Sequence, residues 1–157
     1  MSFQSGLYTL RASPAVGVGG LYATGNGVNH VVTVAPEKPP FVEHQVWSIQ
    51  AVHGKPGIYT ITLHTHGTFG GHWYPRGGKP TPKDPIIISE KSYEWNIAHK
   101  NVPGVPDAYT IRAATPIIGV GLYAGTNDKH EVIIISVPVI PHAEAPYWQF
   151  KPHAGPH

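Results

Sequence analysis

The sequence predicts an all-β fold of twelve strands in three similar units, and three observations carry that prediction. The first is a written repeat. Gly57-Ile58-Tyr59-Thr60-Ile61-Thr62-Leu63 has relatives in Gly6-Leu7-Tyr8-Thr9-Leu10-Arg11-Ala12 and Asp107-Ala108-Tyr109-Thr110-Ile111-Arg112-Ala113, so that Tyr8, Tyr59 and Tyr109 fall 51 and then 50 residues apart. The second is a set of further markers on the same beat. Gly20-Leu21-Tyr22 recurs as Gly71-His72-Trp73 and as Gly121-Leu122-Tyr123, a β-branched run follows in each unit, and each unit closes on a tryptophan: Trp47, Trp95 and Trp148. Ordered self-similarity of this kind marks a tandem array of about fifty-residue units. The third is the period. In Ser92-Tyr93-Glu94-Trp95-Asn96-Ile97-Ala98 apolar and polar residues alternate, which puts one face in a core and the other in water. No segment carries a helical period.

Each unit supplies four strands. In the first (residues 1–51) they are expected at 7–12, 20–24, 31–35 and 45–50. The first of these carries Tyr8-Thr9-Leu10, the third Val31 to Val34, and the last alternates through Val46-Trp47-Ser48-Ile49-Gln50. The second unit (52–102) predicts strands at 57–63, 71–75, 85–89 and 93–98, and the third (103–157) at 108–113, 119–124, 132–137 and 147–151. Aromatic and β-branched residues favour a pleated, half-buried surface. The intervening stretches, such as Ser13 to Gly19, Ala35 to His44 and Pro75 to Asp84, are rich in turn-forming residues.

Twelve antiparallel strands need an arrangement that hides their edges. A three-bladed propeller falls below the usual blade count. A six-stranded barrel capped by three hairpins, the β-trefoil, accommodates two wall strands and two cap strands from each unit. A single domain over 1–157 is therefore expected, with the recurring Tyr, Leu or Ile, and Trp packed around the threefold axis.

Composition narrows the function. Charged residues make up 13%, with 11 Lys and Arg against 9 Asp and Glu, giving a formal charge of +2 and no basic stripe. Nucleic acid is not an expected partner. With no cysteine there is no disulfide, thiol nucleophile or Cys-type zinc site. No apolar run approaches the roughly 20 residues of a membrane helix, so no membrane partner is expected. Met1 to Gly6 lack the charged and apolar regions of a signal peptide, and a cytoplasmic location is expected.

Eleven histidines invite a metal reading, above all His64, His66 and His72, because His64 and His66 share a face two residues apart. No carboxylate repeats at a companion position, so neither metal nor cofactor is expected. There is no Gly-x-Ser-x-Gly elbow, phosphate loop or HExxH motif, and no convincing carboxylate pair. The chain is not expected to be an enzyme. A closed scaffold with unequal loops reads as a binding protein, expected to act as a monomer.

The repeated Gly-x-Tyr-Thr-Ile, Gly19-Gly20-Leu21-Tyr22-Ala23, Gln45-Val46-Trp47, and the ending from Val137-Pro138-Val139-Ile140-Pro141 to Tyr147-Trp148-Gln149-Phe150 resemble the β-trefoil protease inhibitors of mushrooms. These comprise serine protease inhibitors of the cospin and cnispin type and cysteine protease inhibitors called mycocypins. The resemblance spans the chain, and its markers are mainly core residues. It implies a protein that presents loops to a protease cleft, with a trypsin-like serine protease narrowly favoured over a papain-like cysteine protease.

The resemblance points to different loops for each target. For the serine class, the connection between the second and third strands carries Gly25, Asn26 and Gly27, which equally read as an ordinary tight turn. Lys38, Lys55, Lys79 and Lys151 each precede a proline and make poor trypsin baits, whereas Arg76 has no such defect. For the cysteine class, two neighbouring connections would wedge into the cleft. They contain Gly17 and Gly19 in the first, and Lys38 and Pro39 in the second. Glycines would let main chain pass close to a catalytic pair. Asn26, Asn29 or Asn127 would suit a legumain-type pocket.

A ricin-type β-trefoil lectin is the alternative, with glycans as partners. Only the first unit has Gln-x-Trp, the acidic positions do not repeat, and Trp73 with Tyr74 would have to stack on the sugar.

Overall fold

The computed structural model describes residues 4–13, 21–39, 41–65, 70–114, 119–140 and 143–153. The first unit holds β1 (Gly6–Ala12), β2 (Tyr22–Thr24), β3 (Thr33–Ala35), a 3₁₀ turn (Phe41–His44) and β4 (Trp47–Ala51). The second holds β5 (Ile58–Leu63), β6 (His72–Pro75), β7 (Ile86–Ser89) and β8 (Trp95–His99). The third holds β9 (Ala108–Ala113), β10 (Val120–Thr126), β11 (Val132–Pro138) and β12 (Trp148–Pro152). No helix among the described residues is long and apolar enough to cross a membrane.

Six strands close a ring: β1 pairs β4, β4 pairs β5, β5 pairs β8, β8 pairs β9, β9 pairs β12, and β12 returns to β1. The remaining strands form three hairpins, β2–β3, β6–β7 and β10–β11. A barrel closed this way leaves no wall edge unpaired. The register repeats with the units. Tyr8 lies opposite Trp47, Tyr59 opposite Trp95 and Tyr109 opposite Trp148. On their other sides the same tyrosines face Pro152, Ala51 and His99, each four residues past a closing tryptophan. The fold is a β-trefoil.

One predicted correspondence is corrected by the register. Arg11 pairs Tyr22, Thr62 pairs His72 and Arg112 pairs Tyr123. The counterpart of Tyr22 is therefore His72 rather than Trp73, and Gly70-Gly71-His72 is the true second copy of the marker. Trp73 instead matches Ala23 and Ala124. The closing indoles confirm the alignment: Trp47, Trp95 and Trp148 donate to the carbonyls of Ala23, Trp73 and Ala124 at 3.0, 3.4 and 3.0 Å.

The core follows from this. Leu10, Ile61 and Ile111 from the repeated strand and all four tryptophans are at most 1% exposed. Trp73 stands among the other three, with ring centroids 5.6 Å from Trp47, 6.3 Å from Trp95 and 5.9 Å from Trp148, all edge-on. Edge-to-face pairs set a positive ring edge on a negative face, worth about 0.5–1.5 kcal/mol each beyond burial.

The hairpins lock together at the capped end. Val32 N donates to Ile86 O (2.9 Å), Val132 N to Val32 O (2.8 Å) and Ile134 N to Asp84 O (2.9 Å), so each hairpin is bonded to both others. The sequence places Val31 inside a strand at 31–35, yet β3 begins at Thr33 because Val31 bridges Ile87 on the neighbouring hairpin. Its backbone serves the threefold cap instead of its own ladder.

Candidate functional site

The connection from β3 to β4 is braced by backbone and side-chain hydrogen bonds. It begins at Pro36 and exposes Glu37, Lys38 and Pro39 to solvent. Lys38 N donates to Pro36 O at 2.9 Å, and Val42 N returns to Lys38 O at 3.1 Å, winding the loop into the 3₁₀ turn. The proline after Lys38 has fixed φ and no N–H, which stiffens the exposed tip further.

Gln45 holds both ends of this loop. Its side chain is fully buried, and the two hydrogens of Nε2 are shared among Ala35 O (3.2 Å) and Pro36 O (3.0 Å) at the loop's start and Thr24 Oγ1 (3.0 Å) at the end of β2, while Oε1 has no partner among the described residues. Its own backbone N donates to Val42 O at the loop's far end. Gly25 N donates to His44 O at 2.9 Å, fastening the 3₁₀ turn to the β2–β3 hairpin. The donor side of this buried amide ties the loop's start to β2, because losing it leaves backbone acceptors without their partner. The sequence marks Gln45 only as part of Gln-x-Trp, and its bracing role needs the fold to become visible.

Other predicted residues divide among three places. Gly17 and Gly19 lie outside the described residues. Gly25, Asn26 and Gly27 form the β2–β3 turn, in which Gly25 is buried against Leu63 and Gly27 takes φ +108°. Asn26 is exposed, but its Nδ2 donates to Val31 O and Thr33 Oγ1, each at 2.9 Å. Arg76 stands on the β6–β7 hairpin of another unit, 3.6 Å from Asp84 Oδ1. Thus the structure joins the base of the Asn26 turn to the Lys38–Pro39 loop, while Arg76 belongs to a different unit.

The histidines do not assemble into a metal centre among the described residues, where no group of three or more potential ligands is placed to hold an ion. His66 lies outside the described residues. His64 N donates to Val46 O (2.9 Å), and His72 Nδ1 lies 2.8 Å from the Thr62 hydroxyl on the adjacent strand. Partial burial holds the His72 imidazole below its ordinary pKa of 6.5, since desolvation disfavours the charged ring.

The lectin alternative loses its stacking ring. Trp73 is 0% exposed in the core, and Tyr74 is half-buried, edge-on to Tyr93 at 6.0 Å.

Comparison with known proteins agrees with the fold and points to a role. A sequence model of the family described as "Peptidase inhibitor clitocypin" matches residues 6–150. Clitocypin-2 of Clitocybe nebularis is 35% identical over 136 residues, covering 82% of this chain and 83% of that protein. Clitocypin-4/-3 of the same organism is 30% identical over 153 residues, covering 95% and 97%. Among solved structures, the designed 3-fold symmetric protein ThreeFoil superposes with a TM-score of 0.66 over 94% of this chain and 99% of its own. At 12% identity, that likeness speaks to the fold alone.

Proposed function

The chain belongs to the peptidase inhibitor clitocypin family, and from that premise we propose that it blocks papain-like cysteine peptidases with its β1–β2 and β3–β4 connections. It is a peptidase inhibitor and not an enzyme. The finer assignment of class and loops is the part proposed.

The observation that carries the proposal is the double bracing of the β3–β4 loop by Gln45, which keeps Lys38 and Pro39 exposed on a loop fixed at both ends. A loop already ordered loses little entropy on entering a cleft, so more of the contact energy appears as affinity. Pro39 has no backbone N–H to offer past Lys38, which suits a wedge that occludes the cleft rather than a substrate-like segment to be cut. Family membership favours the mycocypin arm of the resemblance over the serine arm.

The serine reading also has less to work with than the sequence suggests. A trypsin-like pocket takes a side chain free to enter it. Asn26 is held in its own turn by two hydrogen bonds, and Arg76, in an exposed ion pair 3.6 Å from Asp84, stands in a different unit from the braced loop. The preference therefore passes from serine to cysteine peptidases.

The deciding experiment is a panel of purified papain, legumain, trypsin and chymotrypsin titrated with the intact protein. Tight inhibition of papain with no inhibition of trypsin is expected. Trypsin inhibition without papain inhibition would reverse the assignment.

A further inference from the structure

Five asparagines occur in the chain, and Asn26 alone precedes a glycine; Asn29, Asn96, Asn101 and Asn127 precede His30, Ile97, Val102 and Asp128. A glycine nitrogen has no side chain beside it, so an Asn-Gly pair is where main chain most easily reaches an asparagine amide. The fold holds the chain to that pair. Gly27 takes φ +108°, and a Cβ there would stand 3.3 Å from the His30 ring. Gly27 O accepts from His30 N at 3.1 Å, but Gly27 N makes no hydrogen bond among the described residues. Asn26 itself is exposed, so water reaches its amide.

The third unit supplies a comparison. Asn127 lies four residues past Tyr123, as Asn26 lies four past Tyr22. The Asn127 amide is held at both ends: Oδ1 accepts from Lys129 N and Glu131 N, each at 3.0 Å, and Nδ2 donates to Glu131 Oε1 at 2.9 Å. Among the described residues the Asn26 amide is held through Nδ2 alone, chiefly by Val31 O and Thr33 Oγ1. Its carbonyl carbon is therefore open to attack, while the nitrogen that would have to depart is tethered.

We propose that Asn26 is a self-modification site, at which Gly27 N closes on Asn26 Cγ and the tethers on Nδ2 set the pace in the folded chain. The Gly27 N–Cγ bond forms and the Cγ–Nδ2 bond breaks. Nδ2 leaves as ammonia, taking up the proton that Gly27 N gives up. Water then opens the cyclic imide at either carbonyl, leaving aspartate or isoaspartate at position 26, with no oxidation or reduction. The new carboxylate has no hydrogen to offer Val31 O, and isoaspartate also lengthens the main chain of the hairpin tip by one methylene. The site belongs to the β2–β3 turn and does not depend on the peptidase assignment.

The test is peptide mapping by mass spectrometry of the intact protein left at neutral pH, folded in buffer and unfolded in guanidinium. Conversion is expected at position 26 ahead of the other four asparagines in both states. It should run about tenfold more slowly in the folded chain, because both bonds from Nδ2 must break before ammonia can leave. Thr33→Val removes one of the two acceptors and should quicken the folded reaction several-fold, with Asn127 unchanged as a report that the fold is intact. Thr33→Ser keeps the hydroxyl and should match the parent. Earlier conversion at another asparagine, equal rates folded and unfolded, or a folded rate unmoved by Thr33→Val would overturn the proposal. So would a folded chain with no conversion at position 26 over many unfolded half-lives. None of these readouts involves papain, so the two readings stand or fall separately.

Discussion

The Trp95 indole donates to the Trp73 carbonyl at 3.4 Å while the two rings meet edge-on at 90°, so one residue of the second unit is both capped and packed by another. In the other units the same donor meets an alanine carbonyl, at Ala23 and Ala124.

Trp73→Ala is expected to be the most damaging single core truncation. It empties the space between three tryptophans, and large aromatic-to-alanine changes in closed cores cost about 3–5 kcal/mol. In a chain of this length that lowers the melting temperature by about 10 °C or more, measurable by calorimetry.

Gln45→Ala should act on the loop more than on the barrel. It removes donors to Ala35 O, Pro36 O and Thr24 Oγ1, leaving those acceptors without their partner, at a cost of about 1–3 kcal/mol. Hydrogen exchange should quicken at residues 36–44 while β5, β8 and β9 stay protected. Papain inhibition should weaken by about tenfold or more if the braced loop is the contact.

Asn26→Ala separates turn from bait. Loss of the bonds to Val31 O and Thr33 Oγ1 should lower stability by about 1 kcal/mol in urea titrations. Inhibition of papain should stay at the level of the parent.

Two glycines form a matched pair. Gly71 has φ +92°, and a Cβ there would collide with the Ile88 side chain. Gly54 has φ +78° in a turn, with nothing within 4 Å of its would-be Cβ. Gly54→Ala measures backbone strain alone, about 1 kcal/mol. Gly71→Ala adds overpacking and should cost about 2–4 kcal/mol in the same denaturation assay.

His72 predicts a pH dependence. Burial lowers its folded pKa below the 6.5 of the open chain, so the unfolded state binds the proton more readily. The stability associated with the neutral ring is complete above that value and is lost as pH falls through the lowered folded pKa. His72→Gln keeps a polar group near the Thr62 hydroxyl and removes the titration. Urea midpoints at about pH 7.5 and about pH 5 should differ less for the variant than for the parent.

The strand plan is readable because the repeat and the two-residue period constrain each other, and a trefoil is the closed form that twelve such strands allow. Residues whose partners lie in another unit are harder to place. Val31 reads as strand and serves the cap through Ile87, which local pattern cannot reveal. The aromatic marker aligns Trp73 one position early because its neighbour His72 breaks the pattern, and register across β5–β6 restores the match. For the candidate site, the sequence proposes loops through resemblance but lends no weight to Gln45. Its role depends on bringing Thr24, Ala35 and Pro36 within reach of one amide.

One bulky ring among the three closing indoles, where the related positions carry only methyl groups, means that the thirds of this molecule are not interchangeable parts. Copying the first or last third over the middle one would leave a hollow centre, and copying the middle over either would crowd two indoles into room for one. A perfectly triplicated version of this chain would have to fill its heart with some other side chain.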